Sequence, residues 1–383
     1  MLGLILAGGG ARGAYEAGVL RFVFGDLPNI TGKNPFPKVI SGTSVGALTS
    51  TWLASKGPSG IFGLSDIWRN LEPHHIYNFD PRDLASLPSR MLGRNTPMAQ
   101  ASALLDPTPL REMLTKRIPW DALYARIGRG DLDALVIAAT DVASGRATLF
   151  TDGVRSPRPR PTTVVHRTRI TPDHCLASAA IPFVFPPVSV EGRYFVDGSL
   201  RQNTPLSPAI SLGVTRALVV GVKKIRSEEA SVSTSMAPSL SFLAGKALNS
   251  LMLDPVEEDL RQLRAINGFL EWGQKAYPDF LDRMRQEHRP FRIVKTVFIR
   301  PSDDIGRIAA DAIRHHADRL PWPTRMLLRA MSGGDNSTEA DLMSYLYFDS
   351  AFTAEIEQLG YEDARRMETE IATLLADEDE PLS

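Results

Sequence analysis

The stretch Lys38-Val39-Ile40-Ser41-Gly42-Thr43-Ser44-Val45-Gly46-Ala47-Leu48 constrains this chain more than any other. A short apolar run enters Gly-x-Ser-x-Gly and passes straight into a helix-forming segment, the layout of a nucleophile elbow. The turn in such an elbow is so tight that the residues flanking the serine nearly touch, and only glycine at Gly42 and Gly46 leaves room. The turn lifts the Ser44 hydroxyl clear of the backbone. It also aims the positive N-terminal end of the next helix at the place where negative charge builds up during attack on a carbonyl.

A second glycine-rich element opens the chain. Residues 2 to 7 (LGLILA) form an apolar run that breaks into Gly8-Gly9-Gly10-Ala11-Arg12-Gly13 and resumes at helical spacing as AYEAGVLRFVF. This predicts a strand, a loop and a helix, with backbone N–H groups gathered in a concave nest that suits a phosphate or an oxyanion. Gly8-x-Gly10-x-x-Gly13 also satisfies the dinucleotide fingerprint, so a nucleotide-binding reading competes. That reading expects an acidic residue closing the second strand, about 20 residues on. Here the next strong strand ends in the serine elbow instead. Far downstream, Gly192-Arg193-Tyr194-Phe195-Val196-Asp197-Gly198-Ser199 predicts a strand ending in an Asp-Gly turn. A turn aspartate ordinarily holds its own backbone, but strand ends are where the catalytic groups of open α/β sheets collect.

With 383 residues, 43% of them hydrophobic, the chain can fill one large α/β core or two modest ones. A formal net charge of -1 gives no global pull toward nucleic acid or anionic lipid, so no nucleic-acid partner is expected. One cysteine, Cys175, excludes an intrachain disulfide and a cysteine-rich metal site and fits a reducing, cytoplasmic setting. Residues 1 to 7 lack the preceding basic residue of a signal peptide and read as a buried strand. No window approaches the roughly 18 uninterrupted apolar residues of a spanning helix, so membrane contact would be peripheral, at the inner face.

The remaining segments predict elements of the same class. A helix runs from Val45 to about Ala54, and residues 61 to 130 are helical and loop-rich, punctuated by Pro81, Pro88, Pro97, Pro107 and Pro109. Within them LDPTPLREMLTKRI sets Leu110, Met113, Leu114 and Ile118 on one face, as in a packed surface helix or a lid over an apolar substrate. His74 and His75 are expected in surface or capping roles. Residues 132 to 141 and 146 to 152 read as paired strands. The run from 155 to 169, with Arg155, Arg158, Arg160, Arg167 and Arg169, is either a solvated proline-rich loop or a basic rim drawing anionic phospholipid to the active-site mouth. Residues 173 to 184 form a small-residue helix, suited to close packing under a nucleophile, with Cys175 as inert core. Strands follow at 217 to 224 and 293 to 302. A serine-rich loop is expected at 227 to 241, a long helical tract at 240 to 276, and helices from 304 on, including TRMLLRAM, EADLMSYLYF and YEDARRMETEIATLL. The acidic tail at 377 to 380 reads as a frayed end. There is no internal repeat and no metal-ligand spacing.

Taken together, the GGGxRG loop, the Gly-Thr-Ser-Val-Gly elbow about 30 residues later and Asp197-Gly198 resemble the patatin-like phospholipase family; ASAAIPFVFPPV also looks like that family's small-residue helix and proline run. The resemblance covers roughly residues 2 to 225. It implies an α/β class and a three-layer α/β/α core with a mainly parallel central sheet, divided as a catalytic core at 1 to 230 and a helical C-terminal region at 231 to 383. It further implies a phospholipase A or lysophospholipase-type esterase that uses a Ser44–Asp197 dyad without a histidine. The loop residues Gly8, Gly9, Gly10, Ala11, Arg12 and Gly13 would hold the oxyanion, chiefly through the Gly9 and Gly10 amides. Gly42, Gly46 and Gly198 would shape the two turns. No metal or organic cofactor is implied, and the partner is a lipid or fatty-acyl ester. One departure from the family pattern is Ser199, where Gly or Ala is usual. The competing readings are a nucleotide-binding protein and a non-enzymatic scaffold with a relict elbow.

Overall fold

The computed structural model describes residues 1–33, 35–79, 104–224, 256–287, 291–316 and 343–376. Among them nine strands form one sheet: β1 (Leu2–Leu6), β2 (Val39–Thr43), β3 (Ala134–Asp141), β4 (Ala147–Gly153), β5 (Thr163–Arg167), β6 (Val188–Val190), β7 (Arg193–Asp197), β8 (Arg216–Val220) and β9 (Lys295–Ile299). The main order is β5-β4-β3-β2-β1-β8-β9, with β7 on β3 and β6 on β7. The run from β3 through β2, β1 and β8 to β9 is parallel throughout. β4 enters antiparallel to β3, and β7 is antiparallel to both β3 and β6.

The central strands are apolar at nearly every position because both faces of the sheet are covered. Leu4, Leu6, Ile40, Leu135, Ile137, Leu218 and Val220 pack into a core on one face. The alternate positions Ile5, Val39, Val136, Ala138, Ala217 and Val219 pack into a second core on the other. The first layer is built by α1 (Gly13–Arg21), α2 (Val45–Lys56), α3 (Ile61–Arg69), α4 (Thr108–Arg117), α5 (Trp120–Gly128) and α6 (Pro172–Ser178); the second contains α7 (Leu206–Ser211) and α8 (Val256–Ala276). The fold is thus a three-layer α/β/α sandwich around a mainly parallel sheet.

The C-terminal part joins both the sheet and the first layer. β9 pairs with β8 over five residues. α9 (Ile305–His316), α10 (Ser350–Arg366) and α11 (Glu368–Ala376) follow it. α10 lies against α1 at a crossing where Gly18 faces the Glu357 carbonyl and Gly360 faces the Tyr15 carbonyl; a Cβ at either position would collide with backbone. At this crossing the fully buried Glu357 carboxylate accepts from Arg21 Nε at 2.7 Å, Arg69 Nη1 at 3.2 Å and Ser65 Oγ at 2.6 Å. One carboxylate therefore binds two helices of the first layer, α1 through Arg21 and α3 through Ser65 and Arg69, to α10.

Two expectations change. The arginine-rich run from 155 to 169 is not loop throughout: Thr163–Arg167 is β5, parallel to β4, its Thr-Val-Val stretch suiting an edge strand. Residues 344–349 are a turn followed by extended chain instead of helix. Their backbone and side chains serve other partners: the Tyr345 carbonyl accepts from Ala11 N–H, and Asp349 caps α10 by accepting from the Ala351 and Phe352 amides. The expected punctuation at Pro81, Pro88 and Pro97, the serine-rich loop, the helical tract before residue 256, TRMLLRAM, residues 339–342 and the acidic tail lie outside the described residues.

Candidate active site

β2 ends at Thr43, and the chain turns through Ser44 into α2. Ser44 has φ 54° and ψ −124°, a strained conformation for a residue with a side chain, of the kind that persists only where the surroundings enforce it. They do so here from several sides. A Cβ at Gly42 would strike the Gly46 carbonyl, and one at Gly46 would press on the carbonyls of Leu6 and Ala7, so β1, β2 and α2 meet in van der Waals contact at the turn. From α6, Ser178 Oγ accepts the Ser44 N–H at 2.9 Å and donates to the Ala138 carbonyl at 2.6 Å. The helix expected over 173 to 184 is shorter, Pro172–Ser178, with turns after it, and its last residue, Ser178, makes the contact beneath the serine.

The position of Asp197 follows from strand register. β2 pairs with β3 as far as Thr43 opposite Ala138; β7 then takes over the same edge, with Asp197 opposite Ala139. The residue after Thr43 and the last residue of β7 are therefore brought together at one step of β3. Ser44 Oγ donates to Asp197 Oδ2 at 2.6 Å. Asp197 Oδ1 accepts from Ser199 N–H at 2.8 Å, and the Asp197 backbone is held by Thr140 Oγ1 and the Ala180 carbonyl. Both Ser44 and Asp197 are buried. Burial pushes the Asp197 carboxyl up to about 6, and hydrogen bonds from Ser44 and Ser199 pull the other way. The side chain of Ser199 leaves the aspartate turn intact. Gly198 packs so closely on Ala138 and Thr43 that a Cβ there would not fit.

The glycine loop runs past the serine. A Cβ on Gly8 would lie 3.2 Å from Ser44 Cβ. Four of its amides are committed within the protein: Gly8 to the Asn203 carbonyl, Ala11 to the Tyr345 carbonyl, Arg12 to the Gly9 carbonyl, and Gly13 to the Gly10 and Ala11 carbonyls. Among the described residues no acceptor takes the N–H groups of Gly9 and Gly10. Gly10 has φ +55°, and a Cβ there would collide with the Tyr345 carbonyl oxygen. Arg12 is buried; its Nε donates to Ser344 Oγ at 2.7 Å and its guanidinium lies 4.2 Å from the Tyr345 ring centroid. Arg12 thus fastens the loop to the 344–345 turn, a contact across more than 330 residues of sequence.

Ser44 and Gly10 open onto an apolar pocket whose further walls include Leu48, Trp52, Trp68, Ile181, Phe185 and Phe348. Leu110, Met113, Leu114 and Ile118, the apolar face of α4 and the residue after it, also line it. That face is both a packed surface and a wall of the pocket. None of Arg155, Arg158, Arg160, Arg167 and Arg169 lines it; Arg117 is the arginine among the lining residues.

His74, His75, His166 and His174 do not line the pocket. His75 and His174 close capping boxes with Glu72 and Thr171. Cys175 is buried, and burial pushes its thiol up to about 12, as for an inert core cysteine. Among the described residues no group of three or more His, Cys, Asp or Glu side chains could hold a metal ion, and no helix is long and apolar enough to cross a membrane. Sequence reasoning missed Ser178, Ser344 and Tyr345. The only signal for the last two was the apolar, aromatic-rich SYLYF run.

The family model for patatin-like phospholipases matches residues 4–210. Among solved structures, VipD from Legionella pneumophila is similar at 12% identity and a TM-score of 0.37, over 96% of this chain and 66% of that one. The ExoU–SpcU complex from the type III secretion system of Pseudomonas aeruginosa is similar at 16% identity and a TM-score of 0.27, over 96% and 71%. The chain therefore spans just under two thirds of VipD. No curated protein matches it.

Proposed function

The chain belongs to the patatin-like phospholipase family, and from that premise we propose that it is a lipid acyl hydrolase with Ser44 as nucleophile and Asp197 as its base. The observation that carries this reading is the 2.6 Å hydrogen bond to the buried Asp197 carboxylate from Ser44 Oγ, on a serine that lines an apolar pocket. An acyl chain lying in the pocket would bring its ester carbonyl to Ser44. As Oγ attacks the carbonyl carbon, Asp197 takes the hydroxyl proton. Negative charge then develops on the carbonyl oxygen, where the uncommitted N–H groups of Gly9 and Gly10 supply donors. Collapse of the tetrahedral intermediate expels the alcohol, which leaves with the proton from Asp197, and an acyl-serine remains. Water, deprotonated by Asp197, attacks that ester; Ser44 recovers its proton and the fatty acid departs. No histidine enters.

The oxyanion role narrows to Gly9 and Gly10, with Arg12 holding the loop and Gly8, Ala11 and Gly13 shaping it. Two uncommitted amides suit one oxyanion oxygen; a pyrophosphate cradle would need more, which weighs against the nucleotide reading. Peripheral membrane contact fits Phe183, 70% exposed at φ +68° between the pocket-lining Ile181 and Phe185.

The test is hydrolysis of short-chain and long-chain acyl esters and of phospholipid vesicles by wild type, Ser44→Ala and Asp197→Asn, with folding checked by circular dichroism. Loss of about 10,000-fold or more in kcat/KM is expected in both folded variants. Unchanged hydrolysis by Ser44→Ala would remove the nucleophile assignment.

A further inference from the structure

The arginine-rich run does not line the acyl pocket, yet two of its members line a second cleft. Arg158 and Arg160 form a cavity of about 390 Å³ together with Arg201, Asn203, Thr204 and Thr163. Its place in the fold follows from strand register. Ala147, at the start of β4 and also in its wall, pairs with Thr140, the neighbour of the Ala139 that stands opposite Asp197. The cleft is therefore at the same end of the sheet as Ser44. It lies on the sheet's other face, since Leu149 from its wall belongs to the second core.

The segment 202–205 has a side toward each site. Its carbonyls hold the catalytic elements: Gln202 accepts from Thr43 Oγ1 at 2.8 Å, Asn203 from the Gly8 N–H at 3.1 Å and Pro205 from Ser41 Oγ at 3.0 Å. Gln202, Asn203 and Thr204 also line the cleft. Asn203 is 2% exposed, neither of its amide atoms has a hydrogen-bond partner, and a Cβ on Gly8 would lie 2.5 Å from its Oδ1. The arginines are anchored in ways that leave their charge unspent. Arg158 is held by its N–H on Ser211 Oγ at 3.4 Å, and Arg160 by its carbonyl, which accepts from Arg146 Nη2 at 3.4 Å. Among the described residues no acceptor takes either guanidinium. Arg201 donates through Nε to the Gly145 carbonyl at 2.7 Å. Asp259 is the one acid among the described lining residues, and it has a partner of its own.

Three guanidinium groups against one carboxylate in a concave wall concentrate positive potential. Their planar forks suit the oxygens of a phosphate. Past Arg158, Arg160 and Asp259 the cleft adjoins a second cavity of about 510 Å³, whose walls include Leu206, Ile210, Leu263 and Phe291. A cationic end joined to an apolar one fits an anionic amphiphile. We propose that this cleft binds a phosphate group carried on a lipid, with the phosphate on Arg158, Arg160 and Arg201 and the hydrocarbon against Leu206, Ile210 and Leu263. The bound phosphate lies against residues 202–204 and steadies the segment that holds Gly8 and Thr43. This site is separate from the acyl pocket, and the inference does not rest on the Ser44–Asp197 reading.

The experiment titrates the full chain by calorimetry with a dihexyl ether analogue of phosphatidic acid, which has no ester to hydrolyse and is kept below its micellar concentration. Glycerol phosphate supplies the same headgroup without hydrocarbon. Wild type is compared with Arg158→Gln/Arg160→Gln and with a charge-matched control, Arg264→Gln/Lys275→Gln, on the exposed side of α8. Wild type should bind the ether lipid about tenfold or more tightly than glycerol phosphate, and the double cleft variant should lose about tenfold or more of that affinity. The control should stay within about twofold of wild type. Hydrogen exchange of the peptide covering residues 201 to 206 should slow about threefold or more on binding to wild type and not in the cleft variant. Absence of binding, an unchanged affinity in the cleft variant, or an equal loss in the control would overturn the site. Glycerol phosphate binding as tightly as the ether lipid would overturn the lipid assignment, and unchanged exchange at 201 to 206 would refute the contact with that segment. Should the double variant not fold, Arg160→Gln alone decides, with a loss of about threefold or more expected and an unchanged affinity refuting the site.

Discussion

Asp197→Asn should separate activity from stability. In the folded chain Asp197 is fully buried and titrates at about 6, against 3.8 for an ordinary aspartate. Each unit of that difference corresponds to about 1.4 kcal/mol. Below pH 3.8 both folded and unfolded chains carry the proton and the residue adds no pH-dependent term. As pH rises the unfolded chain releases its proton first. The folded state is progressively disfavoured until Asp197 ionises near pH 6, at a total of about 3 kcal/mol. Asparagine does not titrate. The stability difference between Asp197→Asn and wild type should therefore move toward the variant by about 3 kcal/mol between pH 3.5 and 7, while all other titrations cancel between the two proteins. The assay is urea unfolding followed by far-ultraviolet circular dichroism at half-unit pH steps, with m-values checked for equality. The same ionisation predicts an acid limb in kcat/KM, tenfold per pH unit below about 6, since the base must be charged to accept the serine proton. A pH-independent stability difference would show that Asp197 titrates as an ordinary carboxyl and that burial does not govern it.

Two further outcomes follow from the packing. Met113→Asn puts an amide into the apolar wall beside Leu114 and should raise KM about tenfold for long-chain esters while leaving short-chain esters unchanged; equal effects on both would mean that acyl chains do not reach α4. Glu357→Ala removes the acceptor shared by Arg21, Arg69 and Ser65 at a fully buried site. It should destabilise the chain by about 3–5 kcal/mol in chemical unfolding, and a loss below about 1 kcal/mol would show that water screens the cluster.

The features legible in the sequence are those whose physical cause is local. Gly42 and Gly46 are demanded by a turn of five residues, and the 8–13 loop by a strand that must become a helix within a few residues; both can be read without knowing what lies nearby. The apolar runs of β1, β3 and β8 announced a sheet covered on both faces. Asp197 was legible only as a strand-end aspartate. What brings it to Ser44 is the handover on β3 from β2 at Ala138 to β7 at Ala139, a matter of register between segments more than 50 residues apart. The same holds for Arg12, whose basic character was plain but whose partners Ser344 and Tyr345 come from the far end of the chain. It holds for α4, whose apolar stripe suited either a packed surface or a lid over an apolar substrate, and which only the tertiary structure makes a wall of the Ser44 pocket. Steric demands within a turn are written in adjacent residues. Proximity between distant segments arises only once burial of the sheet's two faces has chosen the strand order, and that choice belongs to the chain as a whole.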